Sequence, residues 1–369
     1  KQESIASAKK AEETKRVADD INVEVFGKAI VTSDDPRFSV KVNGQVNRQV
    51  TYAADGHRSK FYQTDNDQFP TLFNIVGEGK VSEDLTVGGR IESAYQENRP
   101  LRTNQNNENS GFDFSSRFAE VYLDSKRFGK LQVGKGFASS FTLYEVDLSG
   151  TQPTSLLSVG NLFGGLLFWN RDDNEFTGIP VAGVFLDIEN ASLVNRVRYD
   201  SPQFYGFQLS GSWGSDQRSD ATLRWKDDIG DFQFSGAASY QRNSLFASNW
   251  RVDGGLGVLH KPSGLNLTGG AQLSEKKVDD QNTHGWIAKA GWRKKLFGFG
   301  ESKFSADFTR IFDTLTNQEN STSYGAFLVQ DIDRWGMAFY SGYRYYDYDR
   351  SDFDTAPIHV PVVGTIKYF

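Results

Sequence analysis

Strict alternation of apolar and polar residues is the feature that most limits what this chain can fold into. In the stretch 195–213, Val197 and Tyr199 lie on one face of an extended strand, and Arg196 and Arg198 lie on the other. A Ser-Pro turn follows, and the alternation then resumes to form a hairpin with one apolar and one polar face. The same hairpin recurs along most of the chain, and its polar face carries full charges. This pattern predicts a closed barrel standing in lipid, apolar outside and water-filled inside.

The composition supports strands and excludes several other classes. The 369 residues are 38% hydrophobic, and no run of about 18 apolar residues occurs, which excludes helical membrane spans. Aromatic residues reach 14% and glycines number 36, a mixture that favours strands, tight turns and aromatic girdles. Cysteine is absent, so no disulfide or cysteine metal site can form. The net charge of -6 argues against a nucleic-acid partner, and we expect no cofactor and no metal.

Three regions are predicted along the chain. Residues 1–22 are rich in Ala, Lys and Glu, lack Gly and Pro, and carry a thin apolar stripe, which predicts a short N-terminal helix. That helix is either a solvated arm or a short coiled coil that binds copies of the protein together. Residues 23–37 form a linker, and residues 38–369 form the barrel.

Counting strands between turn signals predicts an all-β, 16-stranded antiparallel transmembrane β-barrel. The first strand begins at Phe38, with valines and aromatic residues alternating with polar residues to Tyr52. Short links on one rim alternate with longer links on the other, and both barrel ends fall on the short-turn side. Counts of 14 or 18 strands remain open. The last strand, VVGTIKYF, ends at Phe369 and is expected to pair with the first strand and close the barrel.

Catalytic residues are not evident. The four histidines form no HExxH motif, and no GxSxG nucleophile elbow occurs. We therefore predict that the protein is not an enzyme.

Several segments together resemble the trimeric porins of Gram-negative outer membranes. They are the hairpin VRYDSPQFYGFQLSGS, the turn and strand RFGKLQVGKGF at 127–137, and the terminal phenylalanine. The resemblance covers about 38–369, and the N-terminal helix is similar to the periplasmic extension of dicarboxylate-type porins. It implies an outer-membrane homotrimer with a periplasmic N-terminus, in contact with lipid and lipopolysaccharide. It also implies a third loop that folds into the barrel and narrows it.

The longest insertion, about 138–190, is the segment expected to form this constriction loop. A loop of such length is usually functional, and its hydrophobic part, LLSVGNLFGGLLFW at 156–169, is suited to packing against protein. The alternative is a loop lying over the barrel mouth or in a neighbouring subunit. Its acidic residues would supply negative charge to the pore: Glu145, Asp147, Asp172, Asp173 and Glu175.

A set of basic residues is expected on the inner wall. A charge on the lipid face would cost about 2–4 kcal/mol at mid-depth, so strand parity directs these residues inward: Lys41, Lys80, Arg90, Arg117, Arg196, Arg198, Arg224 and Lys226. Arg117 is ambiguous, because it shares its parity with Val121 and Leu123. The wall is either simply solvated or one side of a transverse field at the constriction. We assign the basic side to Arg196 and Arg198, followed by Lys41, Arg90 and Arg117, and the acidic side to Glu145 and Asp147.

The function predicted first is passive diffusion of small hydrophilic solutes and ions through a water-filled channel. A second hypothesis is a substrate-selective channel for small anions such as dicarboxylates, suggested by the basic wall and the N-terminal helix. A third is a structural barrel whose helix contacts peptidoglycan or a periplasmic partner. Conductance separates the first two hypotheses from the third.

Overall fold

The computed structural model describes residues 31–32, 37–141, 143–155, 157–185, 193–242, 248–276 and 282–369. The predicted N-terminal helix at 1–22 lies outside these residues, as does most of the predicted linker. None of the described helices is both long enough and apolar enough to span a bilayer.

Antiparallel strands form the barrel in the described part of the chain. In chain order they are β1 (Phe38–Ala54), β2 (Leu72–Lys80), β3 (Leu85–Glu97), β4 (Phe112–Ser125), β5 (Gly129–Phe137), β6 (Leu193–Asp200), β7 (Phe207–Gly214), β8 (Ser219–Ile229), β9 (Phe232–Arg242), β10 (Ser248–His260), β11 (Leu265–Lys276), β12 (Asn282–Phe297), β13 (Gly300–Phe312), β14 (Asn320–Ile332), β15 (Met337–Asp349) and β16 (Ile358–Tyr368).

The barrel closes between its first and last strands. Each strand pairs with its sequence neighbour, and β1 pairs with β16 through Gln45↔Tyr368 to Thr51↔Val362. The main-chain nitrogen of Gly44 also donates to the Phe369 carbonyl at 2.9 Å. Closure leaves the barrel sheet, over its described strands, without a free edge. The prediction of sixteen strands, closed by the C-terminal strand, is confirmed.

Shorter elements decorate this barrel. The C-terminal half of β1 pairs with a short strand, Ser59–Thr64, and the N-terminal half of β1 pairs with β2. The insertion 65–71 therefore interrupts one wall strand. A two-residue strand, Val31–Thr32, also pairs with β1, and a separate small sheet joins Leu167–Asn170, Glu175–Pro180 and Thr355–Ala356. The helices in the described part of the chain are single turns: α-helices at Leu143–Val146 and Val181–Val184, and 3-10 helices at Val159–Asn161, Ser215–Gln217 and Asp333–Trp335.

Side chains divide between the two faces of the wall as the alternation requires. On β1, the outward residues Phe38, Val46 and Val50 are exposed, whereas Gln45 and Asn47 between them are buried inside. Aromatic pairs gather near both rims of the outer surface, such as Phe207–Trp225 at 6.1 Å and Tyr52–Phe61 at 4.8 Å between ring centroids. An apolar outer surface bordered by aromatic rings is typical of a barrel embedded in a bilayer.

Arg48 is a charged residue on the outward face of β1, among exposed valines. Its Nη1 donates to the Glu97 carbonyl at 2.9 Å and lies 3.8 Å from Asp65 Oδ2. Asp65 belongs to the insertion that interrupts the neighbouring wall strand, so the local break in the sheet supplies the partners that this charge needs.

Candidate functional site in the barrel lumen

The segment 138–192, hereafter the inner loop, packs against the inside of the wall over its described residues. Leu157, Phe163 and Phe168 are fully buried and form one cluster with the inward-facing Tyr346 and Val360. The cluster extends to further inward residues of β1, β12, β13 and β16: Ala53, Ile287, Ile311 and Ile358. Burial of this apolar surface is the main force that holds the inner loop in the lumen.

The wall under this cluster is apolar on its inner as well as its outer face. The inner side chains of β14, β15 and β16 include Phe327, Val329, Tyr340, Val362 and Ile366, which surround Leu162 of the inner loop. Sequence alternation predicts a polar inner face throughout, and here the strands differ from it. The physical reason is that this side of the wall faces protein instead of water, so strands buried on both faces carry apolar residues on both.

Residues 147–155 of the inner loop are fixed by a buried ion pair. Lys289 of β12 reaches Asp147 with 2.7 Å between Nζ and Oδ2, and both side chains are 0% exposed. Lys289 also donates to the Ser155 carbonyl, while the Ser155 hydroxyl donates to Asp307, which in turn is paired with Arg344. Each buried charge therefore has an opposite charge and hydrogen-bonding partners beside it, which burial demands.

The wall also makes room for the start of the inner loop. Gly257 faces the lumen on β10, and a Cβ atom there would lie 1.8 Å from the Val146 carbonyl oxygen. Asp220 accepts hydrogen bonds from the Ser139 and Ser140 hydroxyls, each at 2.7 Å. The first residues of the inner loop are thus held directly against β8 and β10.

Arg196 and Arg198, the first-ranked basic residues, lie under the root of the inner loop. Arg196 is 4% exposed, and its Nη2 lies 2.6 Å from Glu120 Oε2 while its Nε donates to the Phe137 carbonyl at 2.9 Å. Arg198 is 7% exposed, pairs with Asp200 and donates to the Ala138 carbonyl at 3.1 Å. Their charges are compensated, and their donors hold main-chain carbonyls in place.

Glu145 and Asp147, the predicted acidic side, contact basic side chains of the wall directly. Glu145 Oε2 lies 3.3 Å from Arg224 Nε and 3.5 Å from Lys226 Nζ. Asp147 forms the buried ion pair with Lys289 described above. Neither carboxylate stands across open space from Arg196 and Arg198.

Arg90, Arg117 and Lys41 remain accessible. Arg117 is the extra residue of a β-bulge, because Glu92 pairs with Phe118 and Ser93 pairs with Ser116. The bulge overrides simple parity and lets Arg117 Nε donate to Glu92 Oε1 at 2.7 Å. Arg90 donates to the other oxygen of Glu92. The side chains of Arg90, Arg117 and Lys41 are 18%, 23% and 50% exposed, respectively.

Strand register places Lys41 and Arg90 in one row across the wall. Lys41 is opposite Val76, Val76 is opposite Arg90, and Arg90 is opposite Glu120. The row continues through Gly134 to Arg196. The accessible Lys41 and Arg90 and the buried Arg196 therefore lie in one row of the inner wall, in which Val76, Glu120 and Gly134 alternate with them.

The sequence analysis did not identify three residues that fix the inner loop: Lys289, Asp307 and Arg344. The signal for Lys289 was present, since it stands between the outward-facing Trp286 and Trp292 with inward parity. What the sequence could not give was the partner of each charge, which lies far away along the chain.

The loops of the long-link rim meet over the tip of the inner loop. The His57 ring stacks on Trp169, with centroids 3.8 Å apart, and Arg171 pairs with Asp354 at 3.0 Å. In the adjoining loop, hydrogen bonds from Arg350 hold the pKa of the Asp352 carboxyl below its usual value. Across the described ranges, no group of three or more His, Asp or Glu residues is arranged to hold a metal ion.

Comparisons with known proteins agree with this architecture. A family model described as Gram-negative porin matches residues 5–351. No curated protein sequence matches.

Solved structures of outer-membrane proteins superpose over most of the chain. An anion-selective porin from Comamonas acidovorans has 16% identity and a TM-score of 0.61, covering 90% of this chain and 100% of that one. In-vitro folded OmpT of Vibrio cholerae has 12% identity and a TM-score of 0.61, with 93% and 100% coverage. The channel DcaP of Acinetobacter baumannii has 13% identity and a TM-score of 0.59, with 93% and 100% coverage. At these identities the likeness establishes the fold.

Proposed function

Because the chain belongs to the Gram-negative porin family, we propose that its outer-membrane diffusion channel is narrowed by the inner loop and lined there by Lys41, Arg90 and Arg117. The observation that carries this proposal is the packing of the inner loop on the inward side chains of β12 to β16. That packing fills the lumen along β12 to β16 and leaves Lys41, Arg90 and Arg117 on β1, β3 and β4 partly exposed to water and solutes.

The accessible charges favour anions. Arg90 and Arg117 share a single carboxylate, that of Glu92, and Lys41 is only loosely paired with Glu78 at 3.7 Å. The positive excess on a water-filled wall attracts anions and repels cations. An anion-selective porin among the similar structures supports the same preference. In this arrangement Arg196 and Arg198 act by positioning the root of the inner loop, and Glu145 and Asp147 act by anchoring it.

Assembly and orientation are proposed from the family. One similar structure is a trimer form of OmpT, which supports a homotrimer here, with its outer surface in contact with lipid and lipopolysaccharide. The short-turn rim, where β1 begins and β16 ends, would then face the periplasm. The segment 1–22 would extend on that side, where contact with peptidoglycan or another envelope partner is within reach.

The charge variant Lys41→Glu tests the role of the accessible wall. Reversing an exposed lumen charge changes its interaction energy with a passing ion by roughly 2 kcal/mol at about 4 Å in water, and dissolved salt screens part of that change. We therefore expect the anion-to-cation permeability ratio to fall several-fold. The measurement is the reversal potential of single channels in a planar bilayer under a KCl gradient.

Lys126→Glu is the matched control, because Lys126 is exposed in the turn between β4 and β5, away from the lumen wall. Its reversal potential is expected to stay close to that of the unmodified protein. Equal shifts of the reversal potential in both variants, or no shift in Lys41→Glu, would show that Lys41 does not set the ion selectivity of the channel.

A further inference from the structure

Arg117 presents part of its guanidinium group to the lumen, and that part has no hydrogen-bond acceptor within the described ranges. Its Nε is bonded to Glu92, but no described residue accepts a hydrogen bond from its two terminal nitrogens. The side chain is partly exposed, so these nitrogens form an accessible fork of donors. Such a fork matches the two oxygens of a carboxylate.

The charge around this fork is positive. Arg90 and Arg117 flank the buried carboxylate of Glu92, which compensates only one of them. The Arg90 guanidinium is also fixed in place, because it lies 3.7 Å over the Phe118 ring and donates to Asn74 at 2.9 Å. The pair therefore carries one uncompensated positive charge, which attracts anions from the lumen.

Aromatic rings stand beside the fork. Phe137 and Phe141 are half-buried and stack with their centroids 3.9 Å apart and their planes 5° from parallel. Phe118 packs edge-on against Phe137 at 5.1 Å, and Arg117 Cζ lies 6.0 Å from the Phe137 centroid. A flat apolar surface thus adjoins the charged donors.

This aromatic surface is rigidly placed. The carbonyl of Phe137 accepts from Arg196, and that of Phe141 accepts from Arg224 at 3.2 Å. The buried arginines therefore fix the main chain that carries both rings. Binding of a ligand then does not carry the entropic cost of ordering them.

We propose that Arg117, Phe137 and Phe141 form a binding site for aromatic monocarboxylates passing through the channel. The carboxylate lies on the terminal nitrogens of Arg117, and the planar ring of the solute packs against the phenylalanine pair. This inference rests on the proposed function and narrows it to a class of solute. A carboxylate of equal charge without a planar ring keeps the contact with Arg117 and loses the contact with the phenylalanine pair.

The test compares benzoate with cyclohexanecarboxylate, which has the same charge and a similar size but no aromatic plane. Each is added to single channels in KCl, and the concentration that half-blocks the current is measured. Aromatic packing geometry predicts that benzoate blocks about two- to tenfold more tightly. Acetate, which lacks a ring altogether, is expected to block least.

Two variants locate the site. Arg117→Gln removes the fork, and block by benzoate is expected to weaken by about 10- to 100-fold. Phe137→Leu keeps an apolar side chain without a ring, and it should bring benzoate and cyclohexanecarboxylate close to equal. Arg117→Lys provides a version that retains the charge beside Glu92, and it should still weaken benzoate block by about tenfold. The control Arg102→Gln changes an exposed loop arginine and should leave benzoate block intact.

The outcomes separate this inference from the proposed function. A conducting channel that benzoate and cyclohexanecarboxylate block equally, or not at all, overturns the aromatic site and leaves the channel standing. Unchanged block in Arg117→Lys likewise overturns the site. A protein that inserts but never conducts overturns the proposed function and the site together.

Discussion

Replacing Lys289 by methionine is expected to release residues 147–155 of the inner loop from the wall. The change leaves Asp147 buried without its partner, and breaking a buried pair from one side costs about 3–5 kcal/mol. Because the barrel strands are paired independently of this contact, the cost falls on local opening of the inner loop. Amides at 147–155 should therefore lose hydrogen-exchange protection by roughly 10²- to 10⁴-fold.

Two further variants control this result. Lys303→Met also removes a lumen lysine paired with a carboxylate, but that pair is partly exposed, so a change below about 1 kcal/mol is expected. Lys289→Met combined with Asp147→Leu removes both charges and should restore most of the protection. Equal protection in Lys289→Met and the unmodified protein would show that the ion pair does not hold the inner loop.

Replacing Phe163 by alanine is expected to loosen the apolar anchor of the inner loop. The ring is fully buried, 5.4 Å from that of Tyr62 between centroids, and removing such a ring costs about 3–5 kcal/mol. The loosened segment should become a protease substrate within 157–185, and single-channel currents should fluctuate more because the lumen is no longer narrowed by a fixed surface.

Phe204→Ala is the comparison for this variant, since Phe204 is exposed in the turn between β6 and β7. It should leave both the cleavage pattern and the current unchanged. If the two alanine variants were cleaved at the same rate, burial of Phe163 would not be what retains the inner loop.

The barrel could be predicted from the sequence because the pattern that specifies it, the alternation of apolar and polar residues, is local. Alternation with a period of two fixes which side chains face lipid, and turn residues mark where each strand ends. Phe38, Val46 and Val50 are exposed as that rule requires, and β16 pairs with β1. The interruption of the wall at 65–71 was not visible, since the whole stretch 53–70 reads as one polar loop.

The site was predictable only in part, because its contacts are distant along the chain. Parity alone directed Arg196 inward, but its burial depends on Phe137 and Glu120, which only the fold brings to it. Parity gave no decision for Arg117, because a bulge shifts the register at that residue. The apolar inner face of β15 and β16 could have been predicted, because the sequences of these strands place apolar residues on both faces.

The most direct test of a loop-narrowed, anion-favouring channel is a planar-bilayer recording of the purified protein under a salt gradient. We predict conductance steps grouped in threes and a reversal potential whose sign shows that anions pass more readily than cations. A silent bilayer, with insertion confirmed separately, would contradict the open channel, and a cation-selective reversal potential would contradict the role given to Lys41, Arg90 and Arg117.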